Sequence, residues 1–122
     1  MKKITWQEFE QVELRVGTII EAKPFPEARN PAYKLKVDFG DCIGVKNSSA
    51  QITHHYTLEQ LIGKQVIGVV NFLDKQIGSL MSQYLITGFY DHQGYVILTV
   101  PDKKTNNGNK LVSPFYLNGK QG

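Results

Sequence analysis

Residues 33–40 alternate between apolar and polar side chains, which is the pattern of a strand with one buried face. The apolar face would consist of Tyr33, Leu35, Val37 and Phe39. The opposite face begins with Lys34 and Lys36, whose Cα atoms would lie about 6–7 Å apart at the usual strand rise. Because cations at that spacing can follow a phosphate backbone, the segment predicts a half-buried strand suited to a polyanionic partner.

The size and composition of the chain are those of one folded domain. With 122 residues it can bury a core without disulfides or a structural metal. A hydrophobic content of 41% and a charged content of 20% exclude a disordered protein. The formal net charge of +3 permits a nucleic-acid partner but does not require one. We therefore predict a single domain over residues 1–122.

Cysteine usage and hydropathy bear on the cellular compartment. Cys42 is the one cysteine in the sequence, which excludes an internal disulfide framework and favours a reducing environment. No run approaches the roughly 18 apolar residues that a membrane span needs. The basic N-terminus is followed by Glu8 rather than by an apolar stretch, unlike a signal peptide. We expect a cytoplasmic protein without membrane insertion.

Two capping boxes predict two short helices. Thr5 and Glu8 fit the N-cap and N3 positions of the first helix. Thr57 and Gln60 fit the same positions of the second, which Gly63 would end. Neither helix is long enough for a series of crossovers between parallel strands, so the pattern disfavours a parallel sheet.

Strands are predicted over residues 14–22, 33–40, 43–45, 65–72, 84–90 and 95–100. Gly17 inside the first strand predicts a bend or a bulge. Residues 46–53 are polar without periodicity, which predicts a loop. Turn-forming residues at 91–94 and 106–109 predict two turns.

Three strands, a short helix and further strands follow one another in the order of an OB-fold. We therefore predict an all-β OB-fold, a five-stranded barrel with a short helix between strands 3 and 4 and additional terminal elements. In this fold the face of strands 2 and 3 is the usual platform for oligonucleotides. Here that face would carry Lys34 and Lys36.

The chain offers few candidates for catalysis or for metal binding. Ser48 and Ser49 precede His54 and His55, but no glycine-flanked nucleophile elbow or nearby orienting acid accompanies them. Adjacent histidines on an extended segment point apart, and no second pair of ligands is present. Cys42 has no motif around it and is expected to be a half-buried thiol. We predict no enzyme activity, no metal and no cofactor.

Several other residues have both a structural and a ligand-binding interpretation. Ser48, Ser49 and Gln51 either shape a loop or offer hydrogen bonds to phosphates and base edges. Asn71 interrupts an apolar strand and must find its partner within the chain or in a ligand. Met81 could contact a flat base, a partner's side chain or the core.

Residues 13–19 read E-L-R-V-G-T-I and resemble the D-I-R-V-G-x-I motif of the tRNA-binding domain family. That family includes the domain appended to some methionyl- and phenylalanyl-tRNA synthetases, and a free-standing bacterial secretion-related chaperone. The resemblance continues, in order and at matching spacing, through residues 26–29, 33–40, 48–53, 69–72, 76–78, 81–82 and 107–111. It covers a core of about residues 9–111 and leaves 112–122 as a C-terminal extension.

The resemblance implies an OB-fold core, a homodimer and tRNA binding and, for the chaperone, activity toward unfolded polypeptides. The residues that it implies face the ligand are Arg29, Lys34, Lys36, Ser48, Ser49, Gln51, Asn71, Lys75, Met81 and Ser82. Arg29 and the two strand lysines would contact phosphate and ribose. Sequence readout would be weak, because A-form helices hide base edges in a deep groove.

Two functions from different classes follow. The first is structure-selective, non-catalytic tRNA binding. The alternative is binding of unfolded, export-bound polypeptides or of export machinery through exposed apolar surface. Candidates for that surface are Phe25, Met81, Phe115 and Tyr116. The apolar residues near the two ends of the chain predict a twofold interface that contains Trp6, Phe9, Phe115 and Tyr116.

Overall fold

The computed structural model describes residues 1–112 of the chain, so Phe115 and Tyr116 lie outside the described residues. The elements follow in the order α1 (Trp6–Glu10), β1 (Leu14–Pro24), β2 (Tyr33–Asp38), β3 (Val45–Ala50), α2 (Leu58–Leu61), β4 (Gln65–Val69), β5 (Lys75–Ile77), β6 (Leu80–Ser82), β7 (Leu85–Ile86), β8 (Gly88–Tyr90) and β9 (Val96–Leu98). Neither described helix is long and apolar enough to cross a membrane.

Five strands form one antiparallel sheet in the order β3-β2-β1-β4-β7, while β5 pairs with β6 and β8 with β9. The sheet curls toward closure where β3 meets the segment that follows β6. There the N–H of Gln83 donates to the carbonyl of Asn47 at 2.8 Å. The N–H of Asn47 donates in turn to Oε1 of Gln83 at 2.9 Å. The result is a nearly closed barrel, and the predicted OB-fold is confirmed.

Both predicted helices form, and each begins with the expected capping box. The N–H of Glu8 donates to Oγ1 of Thr5 at 3.1 Å, and the Thr5 N–H donates to Oε1 of Glu8 at 2.9 Å. Thr57 and Gln60 make the same reciprocal pair at the start of α2. The second helix lies between β3 and β4 and buries Leu61 completely in the core.

The barrel interior is filled by apolar side chains from the sheet, α2 and the segment before α2. The most deeply buried are Ile19, Leu35, Val37, Phe39, Ile52, Leu61 and Val66. The predicted alternation along β2 is confirmed, because its apolar side chains lie inside while Lys34 and Lys36 are partly exposed on the outside. Tyr33 is half-buried, and its hydroxyl donates to the carbonyl of Tyr56 at 2.8 Å.

The prediction of a loop over residues 46–53, after a strand at 43–45, is wrong. Val45–Ala50 form β3, which pairs with β2 along its whole length. The inward residue of β3 is Ser48, which is 4% exposed and whose Oγ lies 2.9 Å from Oγ of Ser82. A polar residue can occupy this inward position because closure of the barrel brings Ser82 to the Ser48 hydroxyl. The strand therefore does not need the apolar alternation from which strands are predicted.

Gly17 does not mark a bulge, since the register shift in β1 lies between Ile19 and Glu21. A Cβ atom built on Gly17 would lie 2.4 Å from Cγ1 of Val37 and 2.7 Å from Cδ1 of Phe39. The glycine therefore lets β1 pack closely over two fully buried side chains, and any larger residue would overpack the core.

The later strands are shorter than predicted. β4 ends at Val69 rather than at residue 72. The strand predicted over 84–90 is divided at Thr87, whose Oγ1 donates to the carbonyl of Ile67 at 2.8 Å. No strand is predicted over 75–82, where β5 and β6 form a hairpin.

Both predicted turns are confirmed. In the β8–β9 hairpin the N–H of Gly94 donates to the carbonyl of Asp91 at 3.1 Å, and Gly94 has a φ of 87°. In the last described turn the N–H of Asn109 donates to the carbonyl of Asn106 at 3.2 Å. The second turn brings residues 107–110 against β1, where the N–H of Val16 donates to the carbonyl of Asn109 at 3.0 Å.

Candidate nucleic-acid interface

The outer surface of β2 and its neighbours carries a row of charged and polar side chains. We call this surface the β2 face and define it by two rows of opposite residues, Lys23, Lys34 and Ser49 in one and Glu21, Lys36 and Asn47 in the other. Directly opposite residues of an antiparallel sheet lie on the same side of it. The two predicted lysines therefore share one surface with residues of β1 and β3.

Both strand lysines have acidic partners within the chain. Nζ of Lys34 lies 3.9 Å from Oε2 of Glu27 and 5.1 Å from the centre of the Phe25 ring. Nζ of Lys36 lies 3.4 Å from Oε2 of Glu21. Partly exposed ion pairs of this kind are weak, because water competes for each charge. A phosphate can therefore compete with the carboxylates for both ammonium groups.

Glu21 bridges two cations on the β2 face. Its Oε1 lies 2.6 Å from Nζ of Lys23, and its Oε2 faces Lys36. The hydrogen bond from Lys23, followed by the charges of Lys23 and Lys36, holds the pKa of Glu21 below its ordinary value. The carboxylate is therefore ionised at neutral pH and competes with an incoming phosphate for both lysines.

A groove of about 580 Å³ lies between β3 and the β5–β6 hairpin, and we call it the serine groove. The predicted ligand residues that line it are Ser48, Ser49, Lys75 and Ser82. Two of its hydroxyls are engaged with each other, because Oγ of Ser48 lies 2.9 Å from Oγ of Ser82. Lys75 is exposed and has no ion-pair partner within residues 1–112.

A second groove, of about 590 Å³, lies between the loop after β1, strand β3 and the β8–β9 hairpin. We call it the Arg29 groove, and its polar lining consists of Arg29, Asn30, Ser49, Gln51 and Tyr90. Ser49 lines both grooves and stands opposite Lys34 of β2. The fold thus brings eight of the ten predicted ligand residues to the two adjoining grooves and to the neighbouring strand β2, which carries Lys34 and Lys36.

Two predicted residues, Asn71 and Met81, lie elsewhere. Asn71 is used within the chain, since its Oδ1 accepts from the N–H of Glu13 at 3.0 Å and its Nδ2 donates to the carbonyl of Gln11 at 2.7 Å. Met81 is 41% exposed on β6 and is not among the described residues that line the grooves.

The N-terminal helix presents apolar surface, as the predicted interface requires. None of the five residues of α1 is buried. Trp6 is 57% exposed, and Phe9 is half-buried. Ile4, just before the helix, is 60% exposed.

Comparison with known proteins decides the family. The tRNA binding domain family model matches residues 14–110, which is most of the chain. The chain belongs to the tRNA-binding domain family. The resemblance seen in the E-L-R-V-G-T-I motif and the later segments is thereby confirmed.

Solved structures and curated relatives agree with this membership. The CsaA chaperone protein of Picrophilus torridus is 47% identical, with a TM-score of 0.85 over 90% of this chain and 100% of that one. Chaperone CsaA of Bacillus anthracis is 40% identical, with a TM-score of 0.85 over 91% of this chain and 100% of its own. The methionine–tRNA ligase of Chlorobium chlorochromatii is 33% identical over 108 residues, which are 88% of this chain but 15% of the ligase. The chain therefore spans about 15% of the length of that ligase.

Two residues that shape this tRNA-binding domain's second groove were missed by sequence reasoning. Tyr90 is 79% exposed although it ends a predicted strand, and Asn30 lies in the proline-bounded loop. The available signal was position, since Tyr90 directly precedes the predicted turn at 91–94. Side chains beside hairpin turns often lie beyond the edge of the core.

The serine groove also has an apolar side that the sequence pattern did not reveal. The exposed apolar residues that line it are Phe72, Leu73, Ile77 and Leu85. Leu73 is 95% exposed. The pattern predicted Phe72 as the last residue of a strand, whereas β4 ends at Val69 and leaves the ring 57% exposed.

His54 and His55 fasten the segment before α2 to the β8–β9 hairpin. Nε2 of His55 is hydrogen-bonded to Oδ2 of Asp91 at 2.7 Å. The ring of His54 stacks on Tyr95 with centroids 3.5 Å apart and an angle of 7° between the planes. The bond from His55, followed by the N–H of Tyr95, lowers the pKa of Asp91. Within residues 1–112 no group of three or more His, Cys, Asp or Glu side chains is arranged to hold a metal ion.

Proposed function

We propose that this domain binds tRNA, without catalysing a reaction on it, through the β2 face and the two grooves beside it. The observation that carries the proposal is the shared position of Ser49. It lines both grooves and stands opposite Lys34, so residues from five separate segments contribute to one continuous surface. Membership in the tRNA-binding domain family supports RNA as the ligand.

The charges of this surface suit a phosphate backbone. Arg29 and Lys75 stand at the two grooves without ion-pair partners in the described chain. Lys34 and Lys36 lie on the β2 face, where each is paired with a partly exposed carboxylate and Lys34 also contacts the Phe25 ring. Cations at fixed positions on a rigid barrel select a backbone of matching shape more than they select a base sequence. Recognition would therefore be structure-selective.

The test is a salt titration of tRNA binding with the double variant Lys34→Ala, Lys36→Ala. Each phosphate contact releases counterions, so losing two contacts weakens binding several-fold and makes the plot of log K against log salt shallower by about 1–2. Filter binding at several salt concentrations measures both quantities.

The matched control for this test is Lys103→Ala, Lys104→Ala, which removes the same charge. Lys104 lines a separate depression with Thr18 and Gln65, so this pair is expected to change binding much less. Equal losses in the two double variants, or none in either, would remove the β2 face from the mechanism.

A second candidate function is binding of unfolded polypeptides, which the apolar side of the serine groove favours. Phe72, Leu73, Ile77 and Leu85 form an exposed apolar strip there, and unfolded clients offer mainly apolar side chains. The solved neighbours named as CsaA chaperones support this candidate. An export-related partner would be recognised on the same strip.

Salt separates the two candidates on the same protein. Contact with apolar side chains survives high salt, whereas phosphate contacts are screened. Leu73→Ser should therefore weaken binding of an unfolded polypeptide at high salt much more than it weakens tRNA binding at low salt. If Leu73→Ser abolished tRNA binding as well, the polypeptide and the tRNA would share one site. That result would contradict separate apolar and cationic binding surfaces.

The proposal includes a homodimer in the cytoplasm. The exposed apolar surface around α1 supports a twofold contact there, and the reducing environment favoured by a lone cysteine fits the cytoplasm. Light scattering at micromolar concentration gives the mass in solution. The mass of a single chain would rule out the dimer while leaving tRNA binding intact.

A further inference from the structure

The Arg29 groove gathers side chains that have no bonding partner in the described part of the chain. These side chains, which make no hydrogen bond, ion pair or ring contact there, are Arg29, Asn30, Gln51 and Tyr90. On the β2 face, by contrast, Lys34 and Lys36 are both paired with carboxylates. A ligand can therefore bind in the Arg29 groove without first displacing an internal partner.

Tyr90 gives this groove an accessible aromatic wall. The residue is 79% exposed and lines the groove beside Gly94 of the hairpin turn. Its neighbour Phe89 is 74% exposed but is not among the described lining residues, as expected for adjacent strand residues on opposite faces. An exposed ring near a cation is a combination that binds nucleotides, because the base stacks on the ring and the phosphate pairs with the cation.

The hairpin that carries the Tyr90 ring is held in place before a ligand arrives. It is tied to the segment before α2 by the 2.7 Å bond between His55 and Asp91. The stack of His54 on Tyr95, with centroids 3.5 Å apart, is a second tie. A hairpin that is already ordered costs less entropy when it binds.

The size and the charge of the groove fit one nucleotide. Its volume of about 590 Å³ falls within the range of about 300–1,000 Å³ typical of small-molecule sites. None of its described lining residues is acidic, so the lining itself offers no carboxylate that would repel a phosphate beside Arg29. The amides of Asn30 and Gln51 each offer donors and an acceptor to the edge of a base.

We propose that the Arg29 groove binds one unpaired nucleotide of a bound RNA, with its base stacked on Tyr90 and its phosphate paired with Arg29. This inference rests on the proposed function, because the adjoining helix of the same RNA would lie on the β2 face. Bases within a duplex are stacked on each other and cannot enter the groove. The domain therefore prefers RNA in which a helix adjoins an unpaired base.

The experiment compares a stem-loop RNA with a fully paired duplex that has the same number of phosphates. Fluorescence anisotropy at fixed salt gives the affinity of each. We expect the stem-loop to bind about tenfold tighter, since stacking of one base on an aromatic side chain accounts for a factor of this order. Tyr90→Ala should bring the ratio close to one with little change for the duplex, while Tyr90→Phe, which keeps the ring, should preserve it.

Phe89→Ala is the matched control, because it removes an equally exposed ring from the same strand outside the groove. It should preserve the preference for the stem-loop. Thermal melting of each variant checks that the fold is intact, and Tyr90→Phe keeps the test decisive even if Tyr90→Ala is less stable.

The outcomes separate this inference from the function on which it rests. Salt-dependent binding of both RNAs with equal affinity would preserve the proposed function and overturn the nucleotide site. Equal effects of Tyr90→Ala and Phe89→Ala would overturn it as well. If the domain bound neither RNA, the proposed function itself would be wrong. If Tyr90→Ala weakened polypeptide binding and left RNA binding unchanged, the groove would belong to a polypeptide.

Discussion

At the scale of single residues, Glu21 sets how available the β2 face is to an anion. It holds Lys23 at 2.6 Å and Lys36 at 3.4 Å, and these two cations keep its pKa below the ordinary value. A phosphate that reaches Lys36 must therefore replace a carboxylate that is already ionised. The pair acts as an internal competitor to the proposed ligand.

Glu21→Gln should therefore tighten tRNA binding. Removing the competing charge frees Lys23 and Lys36, and because exposed ion pairs are weak the gain should be about twofold to fivefold at low salt and should vanish at high salt. Fluorescence anisotropy at two salt concentrations measures the effect. Glu59→Gln on α2 makes the same change of net charge away from the β2 face, and an equal gain there would mean that only net charge matters.

Asn71 shows how far the sequence can predict the role of one residue. Its place in an apolar strand predicts that the amide needs a partner, and this much is confirmed by its bonds to Gln11 and Glu13. Whether the partner belongs to the chain or to a ligand depends on how the N-terminal segment folds back. That segment lies about sixty positions away, at separations of 58 and 60 residues, which no local pattern can reveal.

At the scale of elements, the β8–β9 hairpin depends on one carboxylate. Asp91 accepts the bond from His55 and two further bonds from the N–H groups of Gln93 and Tyr95. Together these bonds place the pKa of Asp91 below its ordinary value of 3.8. A carboxylate whose folded-state pKa is lowered stabilises the fold above its unfolded-state pKa, and this stabilisation disappears as the pH falls through the folded-state pKa.

Asp91→Asn should lower the melting temperature at neutral pH and have no effect in strong acid. The difference from the unsubstituted protein should shrink as the pH falls below 3.8 and Asp91 becomes protonated. Thermal melts across the acid range measure it. Asp102→Asn, whose carboxylate has no hydrogen bond in the described chain, should show no such trend. A difference that stays constant to the lowest pH would contradict the role assigned to the charge.

Elements that are determined by residues close to one another in sequence could be predicted. Elements that depend on a contact with a residue distant in sequence could not. The capping boxes of α1 and α2 and the alternation of β2 are local patterns, and all three elements form as expected. β3 is polar because its inward Ser48 bonds to Ser82, which is 34 positions away. A pattern read along the chain cannot show that partner, so the strand was predicted to be a loop.

At the scale of the whole molecule, the candidate site is assembled from segments that are far apart in sequence. The resemblance supplied eight residues that the fold brings to the two grooves and the neighbouring strand β2. It did not supply Tyr90, whose exposure depends on where the β8–β9 hairpin lies against the barrel. The identity of many site residues was thus predictable, whereas the two grooves were not.

The overall charge of the molecule also shapes what binding should look like. A net charge of +3 is too small for long-range attraction to dominate. Affinity should therefore come from cations placed at particular positions around β2 and β3. Variants that change the net charge equally, on the β2 face and away from it, therefore show whether the position of a charge or only the net charge determines affinity.

The most direct test of the central claim is an NMR titration of the ¹⁵N-labelled domain with tRNA. We predict that the largest shifts and line broadening fall on Lys34, Ser49, Gln51 and their neighbours in β2 and β3. The amides of α2, whose residues line neither groove, should change little. Strong changes confined to α2 or α1, with β2 and β3 unaffected, would contradict the account.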